Sequence, residues 1–430
     1  MSKLNVINQH PKGLFLLFFV EMWERFSYYG MRALLVLYMV QHLAYSVQKS
    51  NTIYGWYTGL VYLTPLLGGY LADRFLGQRK CISIGAIVMF IGLMGLASDI
   101  RLLFLPSLCL MIIANGFFKS NISTIVGMLY GDDKQKRDAG FTIFYMGINL
   151  GSFFSPLVCG TIAHLYGFKY GFMAAGLGIL FGYITYKLFE NKFLQNYGLA
   201  PSAQNLVKDE DENVKELTLR EKRRIYSLFI LMTFSVFFWI CFEQAGCSFT
   251  LFAEYSTERK LGNFVIPTGY FQSLNPLFII AFAPLMSMLW SYLAQKGKEP
   301  TSVSKFIMAL ILVGLSAVII AVAAYFAKTG PVSPMWLVFT YLFATFAELC
   351  LSPIGLSLVS KLAPVRFASL LMGTWFLSSF FGNLAAGLFA GFYDKISHTL
   401  FFIILAASSF FIAFLLFAIS PILKRWMGKV

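Results

Sequence analysis

Seven ionisable residues stand deep inside apolar stretches of this sequence: Glu21, Glu24, Arg25, Arg32, Lys119, Glu243 and Glu348. On insertion scales each costs about 2.5 to 3.5 kcal/mol at a helix centre facing lipid, so all seven are expected to face an internal cavity. Glu21 and Arg25 are four apart, Glu21 and Glu24 three apart, and Arg25 and Arg32 seven apart. At about 3.6 residues per turn they share one helix face, with Tyr28 and Tyr29 nearby. Carboxylates beside a guanidinium form a cluster whose net charge follows protonation. The plainer reading of the stripe is a set of structural ion pairs gluing helices together.

The elements that carry these residues follow from composition. The 430 residues are 58% hydrophobic and 13% charged, whereas a soluble domain carries about 25% charged residues. The fold class is therefore all-α integral membrane, because the apolar segments are long and continuous and lack the alternation of a β-barrel. Twelve spans are expected near 13–44, 52–73, 80–98, 102–130, 139–163, 168–190, 224–252, 266–294, 304–327, 334–360, 365–393 and 398–423. The polar stretch 195–223 divides them six and six, giving an N-terminal bundle over 1–194, a cytoplasmic linker and a C-terminal bundle over 224–430. With the N-terminus inside, the cytoplasmic loops carry 24 Lys and Arg, the outer loops carry 7 and the spans carry 3. The positive-inside rule then puts both termini in the cytoplasm.

The halves echo one another: PLLGGYLADRFLGQRK from Pro65 and PLMSMLWSYLAQKGKEP from Pro284 hold corresponding places. Six-helix halves with a midplane site between them are a transporter design. Net charge of +14 resides in the loops, so no nucleic-acid partner is expected. Six cysteines fall within or beside apolar segments with no CxxC pair, which indicates neither a disulfide framework nor a metal site. The polar start, Met1 to Lys12, leads into a long apolar segment with no small-residue cleavage site, so no removable signal peptide is expected. No G-x-S-x-G, HExxH, P-loop or GxGxxG stands in a suitable context, and no enzyme is expected.

EMWERFSYYG at Glu21 to Gly30 resembles the ExxERFxYYG signature of the proton-dependent oligopeptide transporter family of the major facilitator superfamily. The resemblance continues through GGYLADRFLG from Gly68, FFKSNIS from Phe117, FYMGINLGSF from Phe144, FEQAG from Phe242, NPLFII from Asn275, ELCLSP from Glu348 and GTWFLSS from Gly373. It implies a major facilitator fold around a central cavity and uptake of di- and tripeptides driven by protons. It also implies a bacterial inner-membrane location, a monomer and no cofactor beyond the coupling proton. Three departures stand out. Helix four reads Lys119, Ser120, Asn121 where relatives read Lys-Pro-Asn. The stretch 195–223 is too polar and short for the two extra helices of many bacterial members. Gly55 replaces the helix-two histidine of animal members, and no histidine lies at mid-membrane, so coupling must rest on carboxylates.

A peptide is a zwitterion, so a site that reads only its ends needs cations and an anion about one dipeptide apart. By resemblance Arg25 and Lys119 receive the peptide carboxylate and Glu348 its amino group. Tyr29, Tyr62, Asn149, Gln272 and Asn275 are candidates for hydrogen bonds to it. Tyr28, Trp239, Trp290, Trp375 and Phe376 are candidates for side-chain pockets, with Tyr145 and Ser379 in the same class. For any one aromatic among 46 Phe and 22 Tyr, simple packing is the stronger expectation. Glu21, Glu24 and Arg25 are assigned to proton coupling, and Arg32 with Glu243 and Lys119 with Glu348 to gating pairs. Gly68, Gly69, Asp73 and Arg74 resemble a cytoplasmic gating loop. Alternatives are a transporter of another small zwitterion or anion, such as nitrate or an amino-acid derivative, and a non-transporting sensor.

Overall fold

The computed structural model describes residues 10–131, 133–201, 217–364 and 367–428. Among them, twelve helices of span length follow in order. They are α1 (Lys12–Leu37), α2 (Val47–Leu71), α3 (Gln78–Ala97), α4 (Phe104–Met128), α5 (Lys134–Tyr166), α6 (Phe168–Leu194), α7 (Leu219–Phe242), α8 (Leu274–Gln295), α9 (Ser302–Phe326), α10 (Met335–Leu362), α11 (Ala368–Ala390) and α12 (His398–Met427). The shortest, of 20 residues, reaches about 30 Å, the thickness of the hydrocarbon core.

Helix starts are set by side-chain caps that hydropathy does not see. Asp133 accepts from the Lys136 backbone N–H, so α5 begins five residues before the expected 139. Thr218 and Glu221 form a capping box, so α7 begins at 219 and not 224. Span seven is also interrupted: the tight turn Glu243–Gly246 separates α7 from a short helix, Ser248–Tyr255. A Cβ at Gly246 would overlap the Tyr54 ring, which occupies the space beside the turn. Likewise the expected start of span eight at 266 gives way to a turn at Thr268–Ser273, and α8 begins only at Leu274.

Among the described helices, nine are apolar enough by length and composition to cross a membrane. The charged stripe takes α1 out of that group, Gly, Tyr, Thr and Trp residues dilute α2, and α11 is the third helix outside it. Helices that line a polar interior are expected to fall short on such a measure.

The chain packs as two compact units. The first comprises the described parts of Met1–Leu35 and Leu60–Glu212, and the second those of Val36–Gly59 and Asn213–Val430. In the first unit α3 packs on α4 and α6, and Met89, Leu93, Met111, Phe118 and Phe172 fill its core. In the second, α9 packs on α10 and α12 around Phe306, Leu310, Phe401 and Phe402. The stretch Val36–Gly59 joins the second unit by backbone-close contact: Asn51 Nδ2 donates to the Ala390 carbonyl at 3.1 Å. A Cβ on Gly55 would lie 2.9 Å from the Gly387 Cα. The linker charges Lys208, Asp209, Glu210, Asp211 and Glu212 lie outside the described residues.

Candidate functional site

In the first unit the α1 stripe forms one buried ion cluster. Arg25 Nε lies 3.1 Å from Glu21 Oε1, one turn back, and also pairs with its neighbour Glu24. All three side chains are at most 5% exposed. Asn115 of α4 donates to Glu24 Oε1 at 3.4 Å, and the Arg25 guanidinium carbon sits 5.5 Å from the Tyr28 ring centre. Among the described residues, Arg25 Nη2 and Glu21 Oε2 are buried with no hydrogen-bond partner. An unmatched buried donor normally costs about 1 to 3 kcal/mol. A guanidinium whose Nε pairs with carboxylates and whose Nη2 is unmatched is chemically suited to a further carboxylate.

Lys119 lies half-buried on α4, its ammonium 4.3 Å from the Tyr62 ring centre. Asn115 stands one helical turn before it. Arg32 sits 5.7 Å from the Tyr29 ring centre, and the Tyr28 and Tyr29 rings meet edge to face at 5.1 Å. Asn149 is buried and its amide donates to the Tyr145 carbonyl at 2.9 Å.

The predicted cytoplasmic loop follows α2 as a wide helical turn, Ala72–Leu76, which ends at Gly77 with φ of +78°. Asp73 accepts from Gln78 at 2.8 Å, and Arg74 donates to the Tyr70 hydroxyl at 2.9 Å. Gly68 allows the tightest approach in this unit, because a Cβ there would overlap the Gly116 carbonyl of α4. Gly68→Ala is therefore expected to lower stability by about 1 to 3 kcal/mol. Gly127→Ala, where the nearest atom is 3.9 Å away, should leave it unchanged or slightly raised. Thermal melting of the purified variants checks both.

In the second unit Glu348 of α10 is held by Asn275 of α8, whose Nδ2 donates to Glu348 Oε2 at 2.8 Å and to Thr345 Oγ1 at 3.1 Å. Pro353, within α10 and five residues on, removes a backbone donor from the following turn. Gln272 donates to Thr250 at 3.0 Å. Glu243 is buried and opens the turn that interrupts span seven, which Gln244 braces by donating to the Ile240 and Ala386 carbonyls. Trp375 is buried against Phe306 and over Gly355, and Ser379 accepts at its carbonyl from Asn383. Trp290 carries Lys305 over its ring at 4.6 Å. Arg32 and Lys119 belong to the first unit, Glu243 and Glu348 to the second.

Three polar partners were not anticipated from the residues: Asn115 at Glu24, Thr345 at Asn275 and Thr250 at Gln272. Asn115 shares a helix face with Lys119, four residues on, and Thr345 with Glu348, three on, but the helices that bring Glu24 and Asn275 to them are placed by tertiary packing.

A family model described as the POT family matches residues 79–208 and 194–411. An uncharacterized transporter, YclF of Bacillus subtilis (strain 168), is 35% identical over 98% of this chain and 96% of its own. The peptide transporter YePEPT of Yersinia enterocolitica is 35% identical over 89% of this chain and 88% of its own. A crystal structure of a peptide transporter POT in complex with sulfate superposes with a TM-score of 0.90 at 32% identity, covering 97% of this chain and 96% of that one. A POT family transporter in complex with 5-aminolevulinic acid gives 0.89 at 29% identity, covering 96% and 97%. On these matches the protein is an all-α, multi-pass membrane transporter of the major facilitator fold and belongs to the POT family.

Proposed function

We propose that the protein imports di- and tripeptides together with protons by alternating access. The observation that carries this reading is the Arg25 cluster: a buried guanidinium between two carboxylates, with its Nη2 unmatched among the described residues. Relatives named as peptide transporters support the substrate class. Arg25 and Lys119 take the peptide carboxylate and Glu348 takes the ammonium, while Tyr29, Tyr62, Asn149, Gln272 and Asn275 supply hydrogen bonds. Tyr28, Trp375 and Ser379 shape the pockets. A proton arriving at Glu21 or Glu24 weakens their hold on Arg25 and frees the cation for peptide. Arg32, Glu243, Lys119, Glu348, Asp73 and Arg74 serve the gates. The proton is the only coupling ion and no metal or cofactor takes part. Nothing in this cycle makes or breaks a covalent bond of the solute, so the protein is no enzyme.

The protein works as a monomer in the bacterial inner membrane with both termini cytoplasmic, as the 24 to 7 asymmetry of basic residues supports. A reporter fused near residue 210 should accordingly register cytoplasm. A periplasmic signal there would overturn the orientation.

A second reading, transport of another small zwitterion, draws on the relative bound to 5-aminolevulinic acid, a compound with one amine and one carboxyl end. Direct binding of a labelled dipeptide separates the two. Unlabelled di- and tripeptides should displace the label, and free amino acids or nitrate at the same concentration should not. Displacement by nitrate or amino acids as strong as by peptide would overturn the substrate assignment.

A further inference from the structure

We propose that the mouth of the α3–α6 pair, in the first unit, holds the phosphodiester of an anionic phospholipid. The level of this mouth at the cytoplasmic surface rests on the orientation proposed above. A cavity of about 380 Å³ opens there, lined by Arg79, Lys80, Ser83, Lys187, Glu190 and Asn191. Arg79 is buried and spent on framing the walls: it donates to the Gln195 carbonyl at 2.9 Å and to Asn191 Oδ1 at 3.1 Å, with Nε 3.5 Å from Glu190 Oε2. Lys187 lies 2.8 Å from Glu190 Oε1, and Lys80 is exposed. Three cations against one carboxylate leave the cavity two charges positive.

Ser83 gives an independent sign of a ligand. Its side chain is only 8% exposed, it lines the cavity, and among the described residues its Oγ has no hydrogen-bond partner. An unmatched buried hydroxyl is unfavourable, and rotation of the Ser83 side chain toward the cavity would let it donate to a phosphate oxygen. Lys80 and Lys187 would face the same anion, and Glu190 suits the hydroxyls of a glycerol headgroup.

The flanks choose a lipid over a soluble phosphate ester. Ile84 lines the cavity itself, and Ile84, Ile87 and Ile91 continue one outward ridge of α3 at 36%, 41% and 51% exposure. On α6, Ile184 and Leu188 are also exposed. An acyl chain descending from a phosphate in the cavity would lie along these ridges. Basic pockets between helices bind anionic headgroups, and a lysine close to anionic lipid contributes about 1 kcal/mol, or roughly fivefold.

The test is headgroup retention by the full-length protein in detergent, read by native mass spectrometry during titration with phosphatidylglycerol or phosphatidylcholine. Phosphatidylglycerol should be retained and phosphatidylcholine not. Combining Lys80→Gln with Lys187→Gln should weaken retention about thirtyfold on the per-lysine figure, Ser83→Ala should weaken it severalfold, and Lys192→Gln, on α6 outside the cavity, should do nothing. Should the double variant fail to fold, Ser83→Ala and Lys80→Gln alone decide. Equal retention of both lipids, or retention untouched by these variants, would overturn the proposal. Displacement of the lipid by equimolar glycerol 3-phosphate would overturn the lipid in favour of a soluble ester. Dipeptide binding in the same samples is read separately, so a failure of the transport reading is distinguishable from a failure of this one.

Discussion

Glu24→Gln is expected to abolish gradient-driven peptide accumulation while leaving peptide exchange between preloaded vesicles much less affected. Glu24 is fully buried, pairs with Arg25 and accepts from Asn115. The amide keeps the volume and the accepting oxygen but cannot titrate, so the cluster loses a position at which a proton alters the grip on Arg25. Driven uptake should fall at least about tenfold, the effect of losing one charge-assisted bond of 1.5 kcal/mol or more. Exchange needs no net proton movement and should fall less. Glu21→Gln should act in the same direction through the 3.1 Å contact with Arg25. Since removing one member of a buried ion cluster also costs stability, the melting temperature of each variant is measured alongside. Normal driven uptake in both single variants and in the double variant would remove the cluster from coupling.

Glu348→Gln should weaken binding of an ordinary dipeptide about ten- to a hundredfold, because the ammonium loses charge assistance worth roughly 1.5 to 3 kcal/mol. Asn275 holds the carboxylate at 2.8 Å, and the amide can keep that acceptor, so the change is confined largely to charge. An N-acetylated dipeptide should bind the parent protein poorly and be little affected by the substitution, since it has no ammonium to lose. Lys119→Gln completes the comparison with a C-amidated dipeptide, which should discriminate less between parent and variant than the free acid does. Binding is measured directly, because Lys119 is also assigned to a gate and transport would mix the two roles. Equal losses for modified and unmodified ligands would leave these charges with gating alone.

Much of the α1 arrangement is legible in the sequence. The spacing of Glu21, Glu24 and Arg25 placed them on one face, and the pairs at Arg25 follow from it. Polar partners contributed by other helices were not legible, because Asn115 and Thr345 are ordinary helix residues until a neighbouring helix brings Glu24 or Asn275 to them. Helix starts at Asp133 and Thr218 lay in polar sequence, where hydropathy falls away but capping continues. The interruption at Glu243–Gly246 escaped because FEQAG lies within an apolar run and its turn depends on Tyr54 and Gln244 packing. The grouping of Val36–Gly59 with the later residues rests on a long-range fit of Gly55 to Gly387, which no local pattern announces.

In the proposed cycle an inward proton gradient drives peptide uphill through this protein. Proteoliposomes containing the purified protein, loaded with no peptide and given an imposed pH gradient and membrane potential, test it with one labelled dipeptide. Internal peptide should rise above the external concentration and collapse to equality when an uncoupler dissipates both gradients. Equilibration without accumulation, or accumulation indifferent to the uncoupler, would contradict it.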